Sequence, residues 1–161
     1  MAFFRLIPNL TIMAPKDFKE LEDMMEFAVN VGKPVVIRYP RGGEGKEKFN
    51  QHKKIEYQKA EILKEGKDVS IFAIGKTVER AVRLSQMLEK EVINTRFLKP
   101  FDKGSAIKSI EKTKNVITIE DGTTINGLST TIKELIVNEH LKNININTYA
   151  YPDKFIQHGT V

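Results

Sequence analysis

An arginine that follows a short apolar strand is the residue of this sequence best suited to bind a ligand. Residues 35–37 (Val-Val-Ile) are β-branched, which is typical of a buried strand, and Pro40 ends ladder pairing because it has no N–H to donate. Arg41 comes next, ahead of two glycines. Ligands of open parallel α/β sheets bind beyond the carboxyl ends of strands, where a guanidinium fork suits phosphate or carboxylate. The alternative is a salt bridge between Arg41 and a neighbouring element, and the local sequence leaves both open.

Other polar groups at predicted element ends favour structural roles. Gly75-Lys76-Thr77 lies at a strand-to-helix turn, where backbone amides can hold an anion, but it lacks the spacing of a P-loop or a dinucleotide site. We interpret it as a structural turn. Glu120-Asp121 ends a strand, where paired carboxylates can act as acid and base or bind a metal. We favour the other interpretation, in which they cap the next element and stay solvated.

The three histidines have no partners that would make a catalytic pair in the sequence. His52 lies among lysines in a polar segment and is predicted to be solvated. His140 follows a glutamate at a predicted helix end, where a cation favours the helix dipole. His158 can titrate near neutral pH, but no Ser-His-Asp order or metal-ligand spacing accompanies it. The residues alone therefore indicate an anion-facing arginine without catalytic machinery.

Composition describes an ordinary soluble domain of 161 residues, 40% hydrophobic and 29% charged. There is no cysteine, which excludes disulfides, thiolate chemistry and zinc sites built on cysteine. No apolar run is long enough to span a bilayer, and the N-terminus is interrupted too early for a signal peptide. The net charge of +5 comes from dispersed lysines without an aromatic-interleaved basic motif. We therefore expect a cytoplasmic protein that binds neither nucleic acid nor membrane.

The first quarter of the chain predicts strand, helix, strand. Leu10–Met13 reads as a strand, and apolar residues recur at helical spacing from 17 to 31, with Asp17 as the N-cap. A second strand follows at 35–39. One βαβ unit cannot bury its own faces, so residues 1–41 are interpreted as the end of a larger domain. Residues 42–58, rich in glycine and polar side chains, are predicted to be an interdomain linker.

Residues 59–161 predict a second domain in which strands and helices alternate. Such alternation is typical of a layered α/β fold with right-handed crossovers. Pro100 is expected to stop the strand before it, and Asp102 to cap the following helix. The predicted strands are 59–63, 69–74, 91–95, 116–119 and 144–149, and the predicted helices are 77–90, 103–112 and 126–138.

Four segments, in this order and spacing, resemble the 1-deoxy-D-xylulose-5-phosphate synthase family. They are Ile7 to Asp17, Ile-Arg-Tyr-Pro-Arg-Gly at 37–42, Arg-Phe-Leu-Lys-Pro-Phe-Asp at 96–102, and Pro-Asp-x-Phe-Ile-x-His-Gly at 152–159. The resemblance implies a transketolase C-terminal-like, three-layer αβα domain with a mostly parallel sheet at 59–161. Before it come the linker at 42–58 and a βαβ remnant of the pyrimidine-binding domain at 1–41.

The resemblance also implies an activity for a longer parent protein. Such enzymes are homodimers that use thiamine diphosphate and Mg²⁺ to condense pyruvate with glyceraldehyde 3-phosphate, giving 1-deoxy-D-xylulose 5-phosphate and CO₂ for isoprenoid precursors. Arg41 matches the arginine that binds the aldehyde's phosphate, whereas Arg38 is expected to form a structural salt bridge. Catalytic, cofactor and metal residues lie upstream in the family, so none is assigned here. The fragment alone is expected to be inactive and to bind no cofactor.

The sequence departs from the family pattern at one turn, and it is compatible with two other assignments. Where the family has Gly-Gly-Phe-Gly before the last helix, this chain has Ile-Asn-Gly-Leu at 125–128. The chain also fits the C-terminal half of another thiamine-dependent enzyme, either a transketolase or a 2-oxo acid dehydrogenase β subunit. A non-catalytic interaction or regulatory domain is the alternative from a different class.

Overall fold

The computed structural model describes residues 3–40, 42–43, 45, 48–49, 52–86 and 89–157. A short 3-10 helix at Phe3–Leu6 opens these residues. The helices are α1 (Phe18–Asn30), α2 (Thr77–Gln86), α3 (Lys103–Thr113) and α4 (Leu128–Asn138). The strands are β1 (Thr11–Met13), β2 (Val35–Ile37), β3 (Glu61–Lys64), β4 (Ser70–Ala73), β5 (Glu91–Asn94), β6 (Phe97–Lys99), β7 (Asn115–Thr123) and β8 (Asn145–Tyr151). Among the described residues, no helix combines the length and apolar character that crossing a bilayer requires.

The larger sheet has five strands in the order β3-β5-β4-β7-β8. All neighbouring pairs are parallel except β3 and β5, which puts the antiparallel strand at one edge. Side chains alternate between its two faces, so Phe72 packs with Ile110 and Ile132 on the side of α3 and α4, while Ile71 packs with Val78 on the side of α2. The expected three-layer αβα fold with a mostly parallel sheet is confirmed.

The predicted helix caps are also found. The Asp17 carboxylate accepts a hydrogen bond from the Glu20 backbone N–H at 2.7 Å, and Asp102 accepts from Ser105 N–H at 3.1 Å. Glu20 lies three residues after Asp17, but its side chain does not complete a capping box by accepting from the Asp17 backbone N–H. Its carboxylate accepts from the Lys16 backbone N–H at 2.7 Å and is fully buried.

The smaller sheet has three strands in the order β2-β1-β6. β1 and β2 run parallel, as the predicted βαβ unit requires, but β6 lies antiparallel to β1, with Lys99 opposite Ile12. The sequence assigned no strand to residues 97–99. β6 has only three residues before Pro100, and it is held by pairing with a strand more than eighty positions earlier. Local periodicity carries no signal for such a pairing, which brings a strand from the middle of the chain into the same sheet as β1 and β2.

The last residues of the segment predicted to be a linker, 52–58, pack against the rest of the chain. Ile55 is 7% exposed and lies in a cluster with Met13, Met24 and Phe97. His52 lies 2.7 Å (Nε2 to Oδ2) from Asp17, and its side chain is only 19% exposed. The expectation of a solvated His52 is therefore wrong, because the segment folds back onto the N-terminus of α1.

Five buried polar side chains form what we call the buried ion network: Lys16, Glu20, Glu61, Asn94 and Arg96. Lys16 Nζ lies 2.6 Å from the Glu61 carboxylate and 3.3 Å from Glu20. Arg96 bonds the same two carboxylates, at 2.7 Å to Glu20 and 3.1 Å to Glu61. Asn94 donates to both as well. Two cations thus balance two anions in a site without water access, and the network connects α1, β3 and the β5–β6 link.

The charge of Glu61 in this network is favoured despite its burial. Desolvation alone raises the pKa of a buried carboxyl group, but the hydrogen bond from Lys16 and the charge of Arg96 outweigh it and lower the pKa of Glu61. The network therefore stabilises the folded state only while Glu61 is ionised.

Candidate functional site

The carboxyl end of β2 and those of β4, β7 and β8 surround one open cleft of about 990 Å³. Its wall on the β2 side is residues 38–40, and the N-terminal turn of α2 forms another part. The remaining lining comes from the ends of the parallel strands and the residues after β8: Ile119, Glu120, Asp121, Thr148, Tyr149, Ala150, Tyr151, Ile156 and Gln157. The cleft lies where ligands of open α/β sheets bind, beyond the carboxyl ends of the strands.

Arg38 ties the exit of β2 to the end of β7. Its guanidinium lies 3.1 Å from the Asp121 carboxylate, with the two side chains 37% and 31% exposed. Its backbone N–H donates to the Met13 carbonyl at 2.8 Å, which extends the β1–β2 pairing by one residue. The structural salt bridge expected of Arg38 is confirmed. Asp121 is therefore occupied by a cation at the rim of the cleft.

Glu120 caps the helix that follows it. Its two carboxylate oxygens accept from the backbone N–H groups of Leu128 at 2.9 Å and Ser129 at 3.0 Å. The predicted capping role is confirmed, but the expected solvation is wrong, because Glu120 is only 9% exposed. Its carboxylate also fills the space that a Cβ at residue 127 would need. A side chain at position 127 would therefore displace the Glu120 carboxylate from its cap.

The turn between β4 and α2 has the structural role that the sequence indicated. Gly75 has a φ of +64°, which favours glycine, and Thr77 Oγ1 lies 2.8 Å from the Ile119 carbonyl. The sequence missed a second feature of this turn. Lys76 and Arg80 line the cleft, and among the described residues neither has an acidic partner. Lys76 immediately precedes α2 and Arg80 lies in its first turn, and their four-residue spacing is the signal that identifies them as neighbours.

Two predicted site residues, Arg41 and His158, lie outside the described residues. The residues just before Arg41 are described, and Tyr39 and Pro40 line the cleft. His140 follows the end of α4, and His52 contacts Asp17 at the start of α1. Neither histidine belongs to the cleft lining. The structure therefore brings together the exit of β2, two carboxylates in the C-terminal half of β7 and the cations Lys76 and Arg80 at the start of α2.

The described residues do not fit a metal centre. In the part of the chain that the structure describes, no three His, Cys, Asp or Glu side chains converge as a metal site requires. With Glu120 capping α4 and Asp121 paired to Arg38, neither carboxylate is free to act as a general acid or base. The cations Lys76 and Arg80 give this arrangement the means to bind an anion.

Two protein-family models match the chain. The model for the transketolase C-terminal domain matches residues 58–161, and the model for the transketolase pyrimidine-binding domain matches residues 1–44. Residues 45–57, which neither model matches, lie between β2 and β3.

Curated relatives align with essentially the whole chain. The 1-deoxy-D-xylulose-5-phosphate synthase of Halothermothrix orenii is 41% identical over 165 residues, covering 99% of this chain and 26% of the relative. That of Dictyoglomus turgidum is 42% identical, covering 100% of this chain and 27% of the relative. The chain thus spans about a quarter of the length of these relatives.

A solved structure shares the fold. It is described as a split-gene transketolase, an inactive β4 tetramer, and it superimposes with a TM-score of 0.85 at 28% identity. The match covers 92% of this chain and 50% of that one. The shared fold therefore extends over nearly all of this chain.

Proposed function

Because the chain belongs to the transketolase family, whose C-terminal domain it carries at residues 58–161, we propose that it is the C-terminal part of a thiamine diphosphate-dependent transferase. The reaction we assign to the parent protein condenses pyruvate with glyceraldehyde 3-phosphate to 1-deoxy-D-xylulose 5-phosphate and CO₂. The observation that carries the proposal is the alignment of relatives bearing that name over the entire chain at about 40% identity.

Arg41 is the residue we assign to the acceptor phosphate. The support is the position of the three residues before it, which leave β2 at the carboxyl edge and line the cleft. The Arg38–Asp121 ion pair and the bond from Arg38 N–H to Met13 fix the direction in which this segment leaves the sheet. A guanidinium delivered there can bind a phosphate with two parallel hydrogen bonds. Lys76 and Arg80 add positive charge to the same cleft.

Thiamine diphosphate, when bound to the parent, supplies the carbanion chemistry of the proposed reaction. The described residues do not fit its metal ion, so we assign no cofactor or Mg²⁺ ligand to this chain and derive no step through them. Both would be held by other parts of the longer protein. The role of this chain in the reaction is then to bind and orient the phosphorylated acceptor.

The remaining assignments concern organisation. We propose residues 1–41 as the end of a pyrimidine-binding domain, 42–58 as the connection and 59–161 as the C-terminal domain, supported by family matches at 1–44 and 58–161. A cytoplasmic homodimer is the assembly we propose for the parent. The solved relative is described as a tetramer, which supports self-association in this family.

The proposal predicts a difference between the parent protein and this chain. Supplied with thiamine diphosphate, Mg²⁺, pyruvate and glyceraldehyde 3-phosphate, the full-length protein should release CO₂ and form 1-deoxy-D-xylulose 5-phosphate. Purified residues 1–161 should do neither, since we assign the cofactor and its metal ion to other parts of the longer protein. The measurement is product formation by NMR together with released CO₂.

Two results would contradict it. Ketol transfer from a sugar phosphate without release of CO₂ by the full-length protein would make it a transketolase, the type of protein named for the solved relative. Decarboxylation of pyruvate by residues 1–161 alone would show that the cofactor site lies in this chain.

A further inference from the structure

The turn between β7 and α4 contains the one Asn-Gly pair of the sequence, Asn126-Gly127. Asn126 is exposed and has a φ of +55°. Its backbone N–H donates to Thr130 Oγ1 at 3.1 Å, but within the described part of the chain its side-chain amide has no hydrogen-bond partner. No described group accepts from the Gly127 N–H either. Neither of the two reacting groups is therefore held by a hydrogen bond, although Gly127 itself is buried.

We propose that Asn126-Gly127 is a site of spontaneous covalent modification by deamidation. The Gly127 backbone nitrogen attacks the Asn126 side-chain carbonyl carbon and forms a five-membered succinimide. The bond from that carbon to the amide nitrogen breaks, and ammonia leaves with the proton that Gly127 nitrogen gives up. Water then opens either carbonyl of the ring, giving aspartate or isoaspartate. The net change is amide plus water to carboxylic acid plus ammonia, with no oxidation or reduction.

Glycine at position 127 is what makes the attack accessible. It has no Cβ to obstruct the approach of its nitrogen to the neighbouring side chain, and its backbone reaches conformations that other residues avoid. Every other asparagine of the sequence precedes a residue with a side chain. The best internal comparison is Asn143, which is exposed and has a φ of +59° like Asn126 but is followed by Ile144.

A second succinimide-prone pair in the same region is protected. Asp121 precedes Gly122, but its carboxylate is paired with Arg38 at 3.1 Å. The carbon of a carboxylate is a poorer electrophile than the carbon of an amide, and the contact with Arg38 restrains the side chain. The reaction is therefore assigned to Asn126 and not to Asp121, although the two lie five residues apart on one wall of a smaller cavity of about 280 Å³.

The modification would act on the cap of α4. Gly127 packs against the Glu120 carboxylate that accepts from Leu128 and Ser129. An isoaspartyl linkage adds one backbone atom before Gly127, which moves that residue relative to Glu120. This displacement weakens the N-terminal cap of α4, and it does so without any dependence on the proposed function.

The reaction can be followed on the chain as it is. Residues 1–161 are kept in mildly alkaline buffer at physiological temperature, and peptides are analysed over time by mass spectrometry with fragmentation that separates aspartyl from isoaspartyl bonds. We expect Asn126 to lose its amide well before Asn143, with isoaspartate among the products. Conversion of Asn126 no faster than Asn143 would overturn the proposal. So would conversion at Asn126 only in a denatured sample, which would mean that the fold protects the site.

Two variants separate the consequences. Asn126→Gln should show no early conversion and should keep its melting temperature through the incubation. Asn126→Asp carries the new charge on a normal backbone, so the isoaspartyl form, isolated by ion exchange, should melt a few degrees below it. Equal melting temperatures would overturn the inference that the longer backbone loosens the cap of α4.

Discussion

Replacing Arg96 by alanine is expected to lower the free energy of unfolding by about 3–5 kcal/mol, the usual cost of removing one partner from a buried ion pair. The side chain is 3% exposed and bonds both Glu20 and Glu61, so its loss leaves two buried carboxylates with one cation. Arg96 also donates to the Lys53 carbonyl at 2.9 Å, which ties the connecting segment to the network. The measurement is equilibrium unfolding of residues 1–161 in urea.

The control is Lys19, a cation of α1 whose ion pairs are solvated. Lys19 bonds Glu22 and Asp23 at 2.9 Å each, but its side chain is 53% exposed, and such pairs contribute little. Lys19→Ala should leave the urea midpoint nearly unchanged. A loss for Arg96→Ala no larger than that of Lys19→Ala would show that the network does not hold the two sheets together.

The pH dependence of unfolding gives an independent measure of the same network. The pKa of Glu61 is lower in the folded chain than in the unfolded one, because the Lys16 hydrogen bond and the Arg96 charge outweigh desolvation. Its contribution is therefore complete above the unfolded value of roughly 4.3 and is lost as the pH falls through the lower, folded value. With Arg96 removed, this acid-side contribution should shrink.

The elements that the sequence predicts well are those whose signal is local. The apolar spacing from residue 17 to 31 corresponds to α1 at Phe18–Asn30, and the apolar run at 69–74 contains β4. Asp17 and Asp102 act within three residues of their own position, so their capping roles are visible in the sequence. The layered fold follows because alternating strands and helices of these lengths have few other ways to bury both faces of a sheet.

What the sequence could not predict depends on distant pairing. β6 exists because it pairs with β1, and the network unites Glu20 with Arg96 across 76 positions. The salt bridge of Arg38 was expected, but its partner Asp121 is 83 residues away and had been interpreted as solvated with Glu120. The N-terminal βαβ unit is therefore extended by β6, whose residues the sequence analysis placed in a separate domain.

The second large effect concerns the proposed phosphate-binding arginine, tested in the full-length protein. Arg41→Ala should raise the KM for glyceraldehyde 3-phosphate roughly ten- to hundredfold, since losing a charged hydrogen bond costs about 1.5–3 kcal/mol and 1.4 kcal/mol is about a factor of ten. The KM for pyruvate should change little, because pyruvate carries no phosphate. Steady-state kinetics with each substrate varied in turn measures the difference.

Two comparisons decide whether the effect belongs to the phosphate. Unphosphorylated glyceraldehyde should react about equally with the parent protein and the Arg41→Ala variant, because neither then has a phosphate to bind. Arg83→Ala removes an arginine from the exposed side of α2 outside the cleft lining, so both KM values should stay as they are. An equal rise of both KM values in Arg41→Ala would instead give Arg41 a structural role, the salt bridge that the local sequence left open. In that case the unpaired Lys76 and Arg80 would remain as the cations of the cleft.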